Sequence, residues 1–456
     1  MRSASPFVLC AVATLTLSAC TASLAAEPVQ LPDSTLAQSW QLENGLKVTT
    51  RHVPGAASVA IALAFPFGNE SDPLKREGLA TVAAYAFELG AAAPVPERTE
   101  RAMERLRPQG WNVETDRRFT RISEAVPKAQ FPGTLHEVAL RLKGVQLSEV
   151  TLTEARGLAG PELQQKYFKR MDWALYHQVR ALAAGDSADR VDRYAQASAV
   201  AKSTLADVRA FLKERYVPAN AALSIAGDLS GVDVVRLVQS EFAGIPAGKK
   251  LAEPAARPLH SGVRWSNHPA ALDLVAALGI FAPPVTDSTH ASFLVNMLCA
   301  GSFLTSRWGR MPEFPSRFRY SVVDDPEMVV FYPPVDQVDA DSLRVHNEYG
   351  FALAAFASSE ISGEKFQELR QSVYWLLGGA LSARQRANAR ASAPFLMLLA
   401  GNGATRELSG GEPFWSEYRK RFEAVNIPDV ERWYPLLRDP KRQAHYFFNP
   451  GVAAGK

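Results

Sequence analysis

The chain has 456 residues, 47% of them hydrophobic, which is enough for two domains with apolar cores of their own. Its 50 basic and 47 acidic side chains leave a formal charge of +3, so bulk charge gives no argument for nucleic acid or an anionic membrane surface as partner. Beyond the first residues no stretch is apolar and long enough to span a bilayer.

The N-terminus reads as an export signal over residues 1–26. Arg2 precedes an uncharged run from Ser3 to Ala26, and its apolar part, Pro6 to Ala19, is too short for a membrane span. Two processing sites compete. Leu17-Ser18-Ala19-Cys20 resembles a bacterial lipobox, with Cys20 the lipidated residue. Ser23-Leu24-Ala25 followed by Ala26 fits an ordinary small-residue cleavage site. After processing, Cys299 has no intramolecular disulfide partner, and its apolar helical surroundings place it in a core.

Trp40 to Val48 predicts two short strands around the Asn44-Gly45 turn. Ser58 to Phe67 is an apolar strand, ended by Gly68-Asn69-Glu70-Ser71-Asp72-Pro73, and Gly78 to Leu89 a buried helix. Glu97 to Arg107 reads as a charged amphipathic helix and Trp111 to Val126 as a strand pair. Phe131 to Lys143 and Thr153 to Leu182 are expected as helices, with Pro161 kinking or restarting the second. Ser203 to Tyr216 and Asp233 to Phe242 are further helices, flanking a strand at Ala221 to Ala226.

Residues 246–260 are rich in Pro, Ala and charge and read as a linker between domains at 37–245 and 261–450. The second part repeats the first. Leu272 to Phe281 is an apolar strand, Pro283 to Ser288 breaks it, and His290 to Ala300 is a buried helix. A strand at Tyr320 to Val323 and helices at 342–358 and 363–377 follow. The expected class is α+β, with two homologous αβ domains, each a mixed sheet flanked by helices.

Four stretches carry a resemblance to a known family. They are Leu42-Glu43-Asn44-Gly45-Leu46-Lys47-Val48, Arg76-Glu77-Gly78-Leu79-Ala80, Gly110 to Asp116, and Tyr216 to Asp228. In order and spacing they resemble the pitrilysin/insulinase (inverzincin) metallopeptidases over Leu42 to Pro450. The resemblance implies half of a clamshell that encloses a peptide chamber.

That family carries His-x-x-Glu-His after Gly-Leu-Ala. Two histidines four apart share a helix face and hold Zn²⁺, and the Glu serves as general base on the metal-bound water. Here Thr81 and Tyr85 stand at the ligand positions and Ala84 at the base position. A threonine hydroxyl is a poor zinc ligand, a phenol ionises only near pH ~10, and alanine accepts no proton. The position of the third ligand is Glu162, vestigial without the others. His52, His136, His177, His260, His268, His290, His346 and His445 are scattered, with no pair at helical ligand spacing. No Gly-x-Ser-x-Gly elbow is present.

The resemblance also implies substrate-holding positions. Tyr320 falls on a tyrosine that grips the peptide backbone, while Glu313 stands where an arginine is expected, with Arg310, Arg317 and Arg319 nearby. Asn112, Thr115 and Asp116 lie on the edge strand to which family substrates add. The leading expectation is a non-catalytic subunit without cofactor, in the periplasm or lipid-anchored at the outer membrane of a Gram-negative cell. It would pair with an active homologous peptidase and bind peptides. The alternatives are an active zinc metalloendopeptidase with an altered site, and a free-standing peptide-binding or scaffold protein.

Overall fold

The structure is a computed structural model that describes residues 37–90, 111–186, 191, 193–194, 196, 198–252, 258–308, 317–333 and 342–450. The export signal with Cys20, the helix expected at Glu97 to Arg107, and Glu313 with Arg310 lie outside the described residues. The first sheet comprises β1 (Ala37–Gln41), β2 (Lys47–His52), β3 (Ser58–Phe65), β4 (Trp111–Thr115), β5 (Thr120–Pro127) and β6 (Ala222–Gly227). With it go α1 (Leu79–Leu89), α2 (Phe131–Lys143), α3 (Glu149–Gln164), α4 (Met171–Ala184), α5 (Leu205–Arg215) and α6 (Val234–Phe242). The second sheet comprises β7 (Gly262–His268), β8 (Val275–Phe281), β9 (Phe318–Ser321), β10 (Asp325–Phe331) and β11 (Gln443–Pro450). Its helices are α7 (His290–Trp308), α8 (Ser342–Ala357), α9 (Gly363–Tyr374), α10 (Ala383–Ala391), α11 (Ala393–Leu408), α12 (Gly411–Ala424) and α13 (Ile427–Glu431).

Strand order shows the repeat directly. The first sheet runs β1-β2-β6-β3-β5-β4, and the second runs β7-β11-β8-β10-β9. In each, one parallel pair (β2 with β6, β7 with β11) is followed by antiparallel neighbours. The protein is thus mixed α/β, with two like sheets flanked by helices. β1 is the addition, paired antiparallel to β2 through the Asn44-Gly45 turn, in which Leu42 N donates to Leu46 O at 2.9 Å.

Alternation along β3 decides what each face of the first sheet can accept. Val59, Ile61, Leu63 and Phe65 point to one face and pack with α1, α2 and α3. Ala60, Ala62 and Ala64 point to the other, beside Ala125, Ala222 and Ala226. Such a smooth alanine face lets a helix come close, and the helix that does so is α11, from the far end of the chain. It sets Leu396, Met397, Ala400 and Ala404 on the alanines. A Cβ at Gly403 would lie 2.5 Å from Ser224 Oγ and 3.3 Å from Thr49 Cγ2, so glycine is what the approach allows.

The exchange is reciprocal. Met171, Ala174, Leu175 and Val179 of α4 pack on Val275, Ala277, Val330 and Tyr446 of the second sheet. Each unit therefore lends one helix to the other's sheet. Burying a Leu or Met side chain contributes about 1.5–3 kcal/mol, so these two helices bind the units through several such contacts.

The segment expected as one helix from Thr153 to Leu182 is two helices. α3 continues through Pro161 without restarting, and a π turn at Gln165–Lys169 follows before α4. Such bulges are frequent at functional sites, and this one sets the direction of Lys166 and Tyr167. Cys299 is buried. No helix among the described residues is long and apolar enough to cross a membrane.

Candidate functional site: a closed zinc-motif position

Helix α1 starts at Gly78, with φ 88°, a conformation suited to glycine. A Cβ there would also meet Leu163 Cδ1 at 2.7 Å, so the start of α1 and the end of α3 approach closely. The Asp72 carboxylate accepts from Gly78 N and Ala80 N, at 2.7 Å each, and neutralises the positive end of the helix. This local design puts residues 81–85 against α3.

Thr81 is fully buried, and its hydroxyl donates to Asn69 Oδ1 at 3.0 Å. Asn69 Nδ2 in turn donates to the Tyr167 hydroxyl at 3.1 Å. Four residues on, the Tyr85 hydroxyl donates to Glu162 Oε2 at 2.7 Å, and its ring meets Trp111 edge-on. The other carboxylate oxygen, Oε1, lies 2.7 Å from Lys166 Nζ. Lys166 also donates to the Thr115 carbonyl at 2.9 Å and stands 3.9 Å from Asp116 Oδ1. Burial would lower the Lys166 pKa, but Glu162, Asp116 and Glu114 together raise it, so the ammonium is fixed. Asp116 shifts upward through burial and the neighbouring Glu114, opposed by Lys166 and Arg121.

These residues do not fit zinc. Ala84 is buried and has no acceptor, Thr81 turns to Asn69, and Tyr85 spends its proton on the one remaining carboxylate. The cation beside Glu162 is the chain's own ammonium. Among the described residues no group of three His, Cys, Asp or Glu side chains is placed to hold a metal ion. The Lys166 role went unseen in the sequence, although Glu162 and Lys166 stand at the i,i+4 spacing of a helical ion pair.

The edge strand β4 borders a cavity of about 370 Å³ between the two units. Asn112, Glu114 and Asp116 line it, with Arg121 and Ser123 of β5. Thr115, one residue out of phase, is fully buried on the other side, so it contributes its carbonyl rather than its side chain. Glu114 is the residue the sequence did not single out; it accepts from Arg121 Nη2 at 2.8 Å.

Across the cavity lies the β9–β10 turn. Asp324 takes Arg121 at 2.6 Å, and Asp325 takes Arg180 at 2.6 Å and the Tyr176 hydroxyl at 2.5 Å. Arg117 reaches Glu327 at 3.2 Å. Although burial works against it, Arg180 and Arg117 hold the Asp325 carboxyl below its usual range. Arginines of the first unit thus meet carboxylates of the second.

Tyr320 borders the same cavity, but its hydroxyl is held within the second unit, 2.9 Å from His290 Nε2 and 3.3 Å from the Pro326 carbonyl to which it donates. His290 Nδ1 lies 2.6 Å from the Tyr418 hydroxyl. Of the nearby arginines, Arg317 is buried and donates to the Tyr332 and Trp308 carbonyls. Arg319 lines the cavity and stacks on Trp173, with its guanidinium carbon 3.6 Å from the ring centroid.

Two like sheets that exchange helices define a half-clamshell fold, and the helix whose sequence resembles a zinc-motif helix carries Thr81, Ala84 and Tyr85 instead of ligands. Residues 202–297 match the family model described as Peptidase M16 inactive domain. No curated protein sequence matches the chain. A protease from Helicobacter pylori shares the fold at TM-score 0.69 and 16% identity, over 91% of this chain and 99% of that one. The periplasmic protease PqqL from Escherichia coli does so at TM-score 0.64 and 18% identity, over 93% of this chain and 49% of PqqL, so the chain spans about half of that protein. A peptidase M16 inactive domain from Pseudomonas fluorescens matches at TM-score 0.64 and 13% identity, over 92% and 99%. The chain thus shares the fold of these proteases and of the inactive domain, and its residues 202–297 match the M16 inactive-domain model.

Proposed function

We propose that the protein is a non-catalytic M16 subunit that works in the cell envelope, pairs with an active homologue and forms one wall of a peptide-degrading chamber. The observation that carries this reading is the Tyr85–Glu162–Lys166 cluster, in which an internal ammonium takes the carboxylate that would otherwise bind metal. The chain matches about half of PqqL, and a second half of that kind would complete the chamber. The export signal and the periplasmic description of PqqL support the envelope location.

In this role the chain binds and orients peptide. Asp116 N donates to Phe119 O, so the alternation of an antiparallel pair turns the backbone groups of Trp111, Val113 and Thr115 away from β5. An extended peptide adds there by backbone hydrogen bonds. Lys166 already caps the Thr115 carbonyl, so the added strand ends short of that residue. Asn112, Glu114 and Asp116, facing the cavity, read the peptide's side chains.

The test is affinity purification of the tagged chain from its native host under gentle conditions. The expected result is a stoichiometric partner whose sequence carries Gly-Leu-Ala-His-x-x-Glu-His, with peptide hydrolysis by the pair. Recovery of the chain alone, repeatedly and in the same buffer that preserves other envelope complexes, would point to a free-standing binding protein instead.

A further inference from the structure

Three arginines converge where α11 and α12 meet the first sheet. They are Arg51 on β2, Arg406 on α11 and Arg419 on α12. Arg51 and Arg406 are only 6% and 1% exposed. The point where a Cβ at Gly378 would sit lies 2.8 Å from Arg419 Nη1, 2.9 Å from Arg406 Cζ and 3.0 Å from Arg406 Nη1, so those two guanidinium groups are immediate neighbours. Arg51 reaches the same segment, donating to the Trp375 carbonyl at 3.4 Å, and Arg419 donates to the Leu377 carbonyl at 2.7 Å.

The cluster has more donors than acceptors. Arg51 Nη2, Arg406 Nε and Arg406 Nη2 are buried without a hydrogen-bond partner among the described residues. Native proteins rarely leave such groups unpaired, because desolvating a charged donor without replacement is costly. Charge is unbalanced too. Two carboxylates stand near the three guanidinium groups. Glu412 Oε1 is taken by Arg419, while Glu412 Oε2 is buried without a hydrogen-bond partner among the described residues, one acceptor against three unpaired donors; Glu407 Oε1 accepts from Ser39 at 2.6 Å. Burial, with Arg406 and Arg419 acting in the same direction, lowers the Arg51 pKa to about 9.

We propose that Arg51, Arg406 and Arg419 bind a compact, halide-sized inorganic anion at the seam between the first sheet and the helices of the second unit. One spherical anion accepts from several N–H groups at once, which is what three converging guanidinium groups require and what neighbouring arginines cannot give each other. Arg419 and Glu412 keep 11% and 22% of their side chains exposed, so the site opens to solvent on that side. Because Arg51 belongs to one unit and Arg406 and Arg419 to the other, the anion would tie α11 to β2 and favour the docked arrangement.

The experiment has two readouts on the intact chain, crystals soaked in sodium bromide and thermal unfolding at constant ionic strength in chloride, bromide or gluconate. Expected are an anomalous bromide peak within hydrogen-bond distance of Arg406 Nε and a saturable rise of a few degrees in Tm with either halide over gluconate. In Arg406→Gln and, separately, Arg51→Gln, the halide-dependent rise should disappear. An ordered water at that point with no bromide peak, or equal Tm in gluconate and halide, would overturn the proposal.

Discussion

The Tyr85 hydroxyl donates to Glu162 Oε2 at 2.7 Å, joining two positions that the sequence resemblance aligns with metal ligands. With Lys166 on the other oxygen at 2.7 Å, Glu162 has a hydrogen-bond donor on one side and a cation on the other. The position is filled by the chain itself.

Removing the internal cation should be expensive. In Lys166→Met, the Glu162 carboxylate and the Thr115 carbonyl lose their partner in a site where Lys166 is only 12% exposed. Breaking a buried pair costs roughly 3–5 kcal/mol, and the remaining solvent access puts the expectation at the low end. Urea unfolding should show a lower midpoint with unchanged slope. An unchanged midpoint would mean that the ion pair carries no stability.

Restoring the motif alone should not restore a metal site. The combined variant Thr81→His, Ala84→Glu, Tyr85→His still leaves the Lys166 ammonium on Glu162, and like charge opposes Zn²⁺. Adding Lys166→Ala should tighten zinc binding by at least about tenfold, or about 1.4 kcal/mol. Isothermal titration compares the two variants, and equal affinities would contradict the role assigned to Lys166.

His290 should impose an acid limit. Burial lowers its pKa from 6.5 to about 4, reinforced by Arg421 and opposed by the Pro326 carbonyl and Asp287. Its neutral ring donates from Nε2 to Tyr320 and accepts at Nδ1 from Tyr418, the tautomer that the Tyr320–Pro326 bond implies. A depressed folded-state pKa means that the unfolded chain binds the extra proton first. Stability is therefore full above pH ~6.5 and falls as pH drops toward about 4, by on the order of 2 kcal/mol at pH 5. His290→Asn should flatten this part of the Tm-against-pH curve; an equally steep curve in the variant would assign the loss to other groups.

The α11 contact can be tested by paired glycine substitutions. Gly403→Val places its Cβ 2.5 Å from Ser224 Oγ and should cost about 1–3 kcal/mol by overpacking. Gly157→Ala, on an exposed turn of α3 with nothing within 4 Å, should instead stabilise by up to about 1 kcal/mol. Thermal melts of both variants measure the contrast, and stabilisation by Gly403→Val would refute the close approach.

Much of the fold was legible in the sequence because its signals are local. The Asn44-Gly45 turn, the apolar β3 and β8, and the buried helices after them follow from residues adjacent in the chain. β7 and β11 were not legible. They pair in parallel across almost the whole second unit, and β7 is largely exposed, so neither periodicity nor a turn marks it. The helix exchange was hidden for the same reason, since nothing in α4 or α11 says which sheet each will cover. At the site, the residues at the motif positions, Thr81, Ala84 and Tyr85, were read directly, but their partners were not. The filling of the site by Lys166 depended on the π turn after α3, which Pro161 did not announce.

The most direct measurement is hydrolysis of unstructured peptides by the purified chain alone, with added zinc and with chelator. The account predicts no cleavage above the buffer rate in either condition. Zinc-dependent, chelator-sensitive cleavage that is abolished by Glu162→Ala would contradict it.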